Sequence, residues 1–221
     1  DMAPSDATAT VDEAKQFASA GDSNGDGYLD LAWSHGADGA WVQYGPLSGT
    51  VDAQSADAHL LPHERSALLG GLDSLHPAIA SGDFNGDSID DLALGDAGAQ
   101  SGGLVLNGAT WVFLDPLTGS LATPDYEITG AHSQNGIGEM VTAGDLDADG
   151  DSELTMGGTD GWCSYLYRAP LYGSTTTSLY DATGCEGPEK LRILPDVNGD
   201  GFGDLLLQSP YEARITIALG P

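Results

Sequence analysis

Asp22-Ser-Asn24-Gly-Asp26-Gly-Tyr28-Leu-Asp30 places an oxygen-bearing side chain at nearly every second position, and three later stretches repeat the pattern. They are Asp83-Phe-Asn85-Gly-Asp87-Ser-Ile89-Asp-Asp91, Asp145-Leu-Asp147-Ala-Asp149-Gly-Asp151-Ser-Glu153 and Asp196-Val-Asn198-Gly-Asp200-Gly-Phe202-Gly-Asp204. All four fit one template: Asp at position 1, Asp or Asn at 3, Asp at 5 and a carboxylate at 9. A hard cation such as calcium takes six to eight oxygen ligands, and a tight loop of alternating carboxylates supplies them. Position 7 varies (Tyr28, Ile89, Asp151, Phe202), as expected where only its backbone carbonyl serves. The third loop carries one more ligand carboxylate than the others and a further acid at Asp151, so it is expected to bind its ion most tightly.

The first Asp of each loop falls at 22, 83, 145 and 196, a period near sixty residues that points to propellers and arrays before single-core folds. The flanks repeat as well. Ala18-Ser-Ala-Gly, Ile79-Ala-Ser-Gly, Val141-Thr-Ala-Gly and Ile193-Leu-Pro precede the loops; Leu31-Ala-Trp33, Leu92-Ala-Leu94, Leu154-Thr-Met156 and Leu205-Leu-Leu207 follow them. Each unit therefore reads as strand, acidic turn, strand. A second strand signal ends in proline each time: Ala40–Pro46, Thr110–Pro116, Ser164–Pro170 and Arg214–Pro221. More variable strands follow, as in Tyr126–Thr129 and Ser178–Tyr180, giving about four strands per repeat, the content of a propeller blade. No helical periodicity is visible. The expected fold is all-β: a β-propeller of four blades within one domain, residues 1–221, with repeats near 12–51, 52–116, 117–170 and 171–221. The N-terminal segment 7–11 is a candidate closing strand, because a ring that borrows a strand from its other end removes an open edge. A closed four-bladed ring, half-rings paired as a homodimer, and part of a longer array all remain open.

These loops and flanks resemble the FG-GAP repeats of the integrin α-subunit propeller and its bacterial integrin-like relatives. The name-giving elements are degenerate, with Ile137-Gly138 standing at the Phe-Gly position. The resemblance implies about four calcium ions, one per blade. It implies side-chain ligands Asp22, Asn24, Asp26 and Asp30; Asp83, Asn85, Asp87 and Asp91; Asp145, Asp147, Asp149 and Glu153; and Asp196, Asn198, Asp200 and Asp204. EF-hands and dockerins are excluded. They require an acid at position 12 and flanking helices, whereas position 12 here is Trp33, Leu94, Met156 or Leu207.

Lys plus Arg number 6 against 34 Asp plus Glu, a net charge of −28. Four divalent ions would leave about −20, still a field that repels nucleic acid and anionic membranes. No apolar run approaches the length of a membrane span. The chain is read as extracellular or cell-surface. Cys163 and Cys185, the two cysteines, form a candidate disulfide in an oxidising compartment or two buried thiols in a reducing one. The five histidines (His35, His59, His63, His76, His132) read as surface-loop residues, since no zincin or Cys–His signature accompanies them. Trp33, Trp41, Trp111 and Trp162 are expected to pack between neighbouring blades, with a stacking platform for sugars as the alternative. The expected function is a non-enzymatic, calcium-stabilised adhesion or ligand-binding module with a protein or glycan partner; a lectin or a spacer domain is the alternative.

Overall fold

The computed structural model describes residues 9–12, 14, 16–34, 39–61, 78–158, 163–173, 175–176, 182–184, 190–209 and 214–218. These residues are all β and turn, with no helix among them. In chain order the strands are β1 (Ala9–Val11), β2 (Gln16–Gly21), β3 (Asp30–Ser34), β4 (Ala40–Gln43), β5 (Gly49–Val51), β6 (Ala58–Leu60) and β7 (Ala78–Gly82). Then follow β8 (Asp91–Asp96), β9 (Ala109–Phe113), β10 (Gly119–Leu121), β11 (Tyr126–Thr129), β12 (Ile137–Gly144) and β13 (Glu153–Gly158). The last are β14 (Ser164–Tyr167), β15 (Thr175–Thr176), β16 (Ala182–Gly184), β17 (Lys190–Leu194), β18 (Asp204–Ser209) and β19 (Arg214–Ala218).

Hydrogen bonding groups them into four antiparallel meanders: β2-β3-β4-β6, β7-β8-β9-β11, β12-β13-β14-β16 and β17-β18-β19. Each acidic loop joins the first two strands of its sheet. The segment after each proline crosses back to an earlier sheet as an outermost, parallel strand: β10 on β6 and β15 on β11. β5 pairs in the same parallel sense with β1. The N-terminal strand thus stands to β5 as β6 stands to β10. Its described partner is β5, and it does not pair with β19.

Period-two alternation explains how the sheets stack. In β8 and β9, Leu92, Leu94, Trp111 and Phe113 face the first sheet and meet Ala32, Val42 and Leu60. Their neighbours Ala93 and Val112 face the third sheet and meet Val141, Leu154, Met156 and Tyr165. Both faces are covered, so the second sheet carries near-continuous apolar runs rather than alternating ones. Trp33 and Trp41 turn the other way, into a separate cluster with Val51 and Val11. Trp111 thus packs between the first and second sheets, and Trp33 and Trp41 between the first sheet and the β1–β5 pair. One sequence expectation is corrected: His59 is no loop residue but lies in β6 with its ring stacked on Trp41 at 4.6 Å. His35, His63, His76 and Trp162 lie outside the described residues.

The innermost strands β2, β7, β12 and β17 neighbour one another in that order. All four border one cavity of about 450 Å³, to which they contribute Phe17, Ile79, Val141 and Arg192 respectively. Phe17 pairs with Trp33 as Ile79 pairs with Leu94 and Val141 with Met156. Ile79 and Val141 pack on a neighbouring sheet, whereas Phe17 is 79% exposed. At the far end Ile215 and Ile217 on β19 are exposed too. A closed ring is not seen among the described residues.

Candidate metal centres

Three hydrogen bonds recur in all four loops and set their shape. The position-6 N–H donates to the position-1 carboxylate: Gly27 to Asp22, Ser88 to Asp83, Gly150 to Asp145 and Gly201 to Asp196, at 2.8, 2.6, 3.1 and 2.9 Å. The position-7 N–H donates to the position-5 carboxylate: Tyr28 to Asp26, Ile89 to Asp87, Asp151 to Asp149 and Phe202 to Asp200, at 2.9 to 3.0 Å. The position-2 N–H donates to the position-9 carboxylate, from Ser23, Phe84, Leu146 and Val197. To aim these amides inward the chain turns left-handed at positions 4 and 6. Gly25, Gly86 and Gly199 hold position 4, and Gly27, Gly150 and Gly201 hold position 6. Ala148 (φ 61°) and Ser88 (φ 71°) adopt the same conformation without glycine's freedom.

The position-9 carboxylates are sunk beneath the loops: Asp30, Asp91, Glu153 and Asp204 are at most 3% exposed. Their second oxygens accept N–H groups from the residue before the repeat's proline, namely Gly45 (2.8 Å), Asp115 (2.9 Å) and Ala169 (3.4 Å) for the first three. Asp30, Asp91 and Glu153 therefore staple loop, strand and proline turn together, a role the sequence template did not reveal. Burial pushes the Asp91 carboxyl up to about 7, against the opposing pull of the Asp115 and Phe84 amides; nearby Asp115 and Asp87 add repulsion. Burial raises Glu153 as well, with Asp147 and Asp149 adding to it. Asp196 moves the other way, held low by the Gly201 and Gly199 amides.

In the third loop Asp145, Asp147 and Asp149 bring one carboxylate oxygen each within 4.8 Å of one another. No other set of three acids gathers this closely among the described residues. Glu153 stands outside that cluster, on its backbone amides. Asp147 Oδ1 is buried with no hydrogen-bond partner, an orphaned acceptor of the kind a cation satisfies. Its other oxygen accepts from Arg168 Nη1 at 2.8 Å. The other loops carry Asn at that position, so Arg168 offsets the extra charge on which the expectation of tightest binding rests. Asn24 and Asn198 instead donate to the position-5 carboxylates of their own loops. The donor set, all hard oxygen on a wound backbone, fits calcium. Position-1, -3 and -5 side chains and the position-7 carbonyl would hold it, and the position-9 carboxylate would add charge from below.

The sheets also carry a disulfide: Cys163 is disulfide-bonded, while Cys185 lies outside the described residues.

The chain is distantly similar to an integrin α-subunit. It is 25% identical over 194 residues to Integrin alpha-PS2 of Drosophila melanogaster. The match covers 76% of this chain and 13% of that protein's length. No protein-family model matches the chain. The distant integrin-like relation agrees with the β-rich, repeated character of the chain. No described helix is long and apolar enough to cross a membrane.

Proposed function

We propose that this chain is a calcium-stabilised, non-catalytic adhesion or ligand-binding module, extracellular or on the cell surface, whose sheets are blades of a β-propeller. The observation that carries the reading is the threefold hydrogen-bond pattern repeated in four loops, each at the same end of its sheet. The four innermost strands around one cavity support the blade arrangement, and the distant likeness to an integrin α-subunit supports the adhesive role. Each ion gathers carboxylates that otherwise repel one another, so binding and folding are coupled. The ion's task is structural: it neutralises a wound loop and anchors the two strands that leave it. The partner is a protein or glycan held by loops between the sheets. The strongly acidic surface excludes nucleic acid.

A sugar platform draws no support from Trp33, Trp41 and Trp111, which are buried; Trp162 lies outside the described residues. Melting the protein with and without chelator, alongside its mass in solution, tests the reading. At calcium a hundredfold above Kd, each site is expected to add about 2.7 kcal/mol. If chelation leaves both melting temperature and mass unchanged, the calcium reading is wrong.

A further inference from the structure

In the second, third and fourth loops, position 8 leans on the loop before it. Asp90, at position 8 of the second loop, accepts the Asp22 backbone N–H on its Oδ2 at 2.8 Å. Its own N–H donates to the Asp22 carbonyl at 3.3 Å. At the next junction the Ser152 N–H donates to the Asp83 carbonyl at 2.6 Å. At the third, Gly203 sits so tightly on the Asp145 carbonyl that a Cβ there would collide with it. The same pair of positions, 8 on 1, therefore meets at every junction between sheets. The residue before position 1 makes room: a Cβ on Gly21 would strike the Asp90 carboxylate, and one on Gly82 would lie 2.5 Å from Ser152 Oγ.

Position 1 is the residue onto which the rest of a loop folds. Both Asp22 oxygens accept loop amides, from Asp26 and Gly27. Asp90 in turn is placed by its own loop, between Ile89, whose N–H is tied to Asp87, and the buried Asp91. We propose that the cation loops are coupled from sheet to sheet, with Asp90 a positioning residue for the first loop though it belongs to the second. An ion that orders the second loop fixes Asp90, and Asp90 fixes both backbone groups of the first loop's leading ligand. Loading therefore propagates along the row, and linkage makes the effect reciprocal. This inference rests on the reading of the loops as cation sites.

Tyr28, at position 7 of the first loop, supplies the readout. Position 7 of the second and third loops is Ile89 and Asp151, so terbium luminescence that disappears in Tyr28→Phe reports the first loop. Asp87→Asn, which weakens the second loop, is expected to reduce first-loop terbium affinity roughly fivefold or more. In an Asp90→Ala background the same change should cost less than about twofold, whereas Asp90→Asn, which keeps an acceptor, should preserve the coupling. A metal-free measurement runs in parallel: Asp22 amide exchange should quicken in Asp90→Ala and not in Asp90→Asn. Terbium binding with a first-loop affinity indifferent to Asp87→Asn would overturn the coupling while leaving the sites intact. Absence of terbium binding at any loop, by equilibrium dialysis, would overturn the site reading and the coupling with it.

Discussion

Gly82→Ala isolates the packing between successive loops from their chemistry. Gly82 ends β7 immediately before Asp83, and its φ lies outside the left-handed region, so alanine meets no backbone penalty there. The obstacle is the third sheet. An added Cβ would sit 2.5 Å from both Cβ and Oγ of Ser152, with Ala143 Cβ at 3.6 Å. Carbon atoms pack at about 3.5–4.0 Å, so Ser152 must retreat by about 1 Å. Overpacking of this kind costs about 1–3 kcal/mol. In a chain of this length that lowers the melting temperature by about 2–12 °C. Ser152→Gly removes both clashing atoms, and the double variant should regain most of the loss. Urea denaturation of wild type, both single variants and the double closes the cycle, with an expected interaction energy of at least about 1 kcal/mol. Costs that add within about 0.5 kcal/mol, or a Gly82→Ala melt equal to wild type, would refute loop-on-loop packing.

Three further outcomes follow from the same geometry. Burial raises Asp91 to about 7 in the folded protein, so the native state binds its proton more tightly than the unfolded chain, where the value is about 3.9. Stability in chelator should accordingly fall as pH rises from about 4 to 7 and level off above, and saturating calcium should flatten the slope; melting temperatures across that range check both. Ala148→Gly relieves a left-handed alanine in the third loop and should stabilise the protein by up to about 1 kcal/mol, whereas the same change at Ala143, in regular strand, should destabilise it. Trp111→Ala empties the core between the first two sheets and removes the Nε1 donor to Glu127, so a loss of about 3–5 kcal/mol is expected in denaturation.

What was legible in the sequence is local. The acidic template and the apolar triplets after it placed the loops and the first two strands, because a two-residue period leaves a mark in any short window. Even the glycine before each loop was visible, though its reason was not: Gly21, Gly82 and Gly144 stand where Asp90, Ser152 and Ile193 of the next sheet crowd in. Pro195 holds that place before the fourth loop, where no described sheet follows. Long-range pairing was hidden. β5, β10 and β15 are two or three residues each, and their parallel register depends on a partner in another sheet rather than on their own pattern. The double duty of the position-9 carboxylates was equally invisible, since a buried staple and a cation ligand call for the same residue type. For Trp33 and Trp41 the burial was readable, but that the β1–β5 pair is the layer covering them is a matter of topology.

The most direct test is to count calcium ions on the chain, by native mass spectrometry and equilibrium dialysis at pH 7.5. Four tightly bound ions are expected, falling to three in each of Asp26→Ala, Asp87→Ala, Asp149→Ala and Asp200→Ala. Fewer ions in the native chain, or a count unmoved by these substitutions, would contradict one cation per loop.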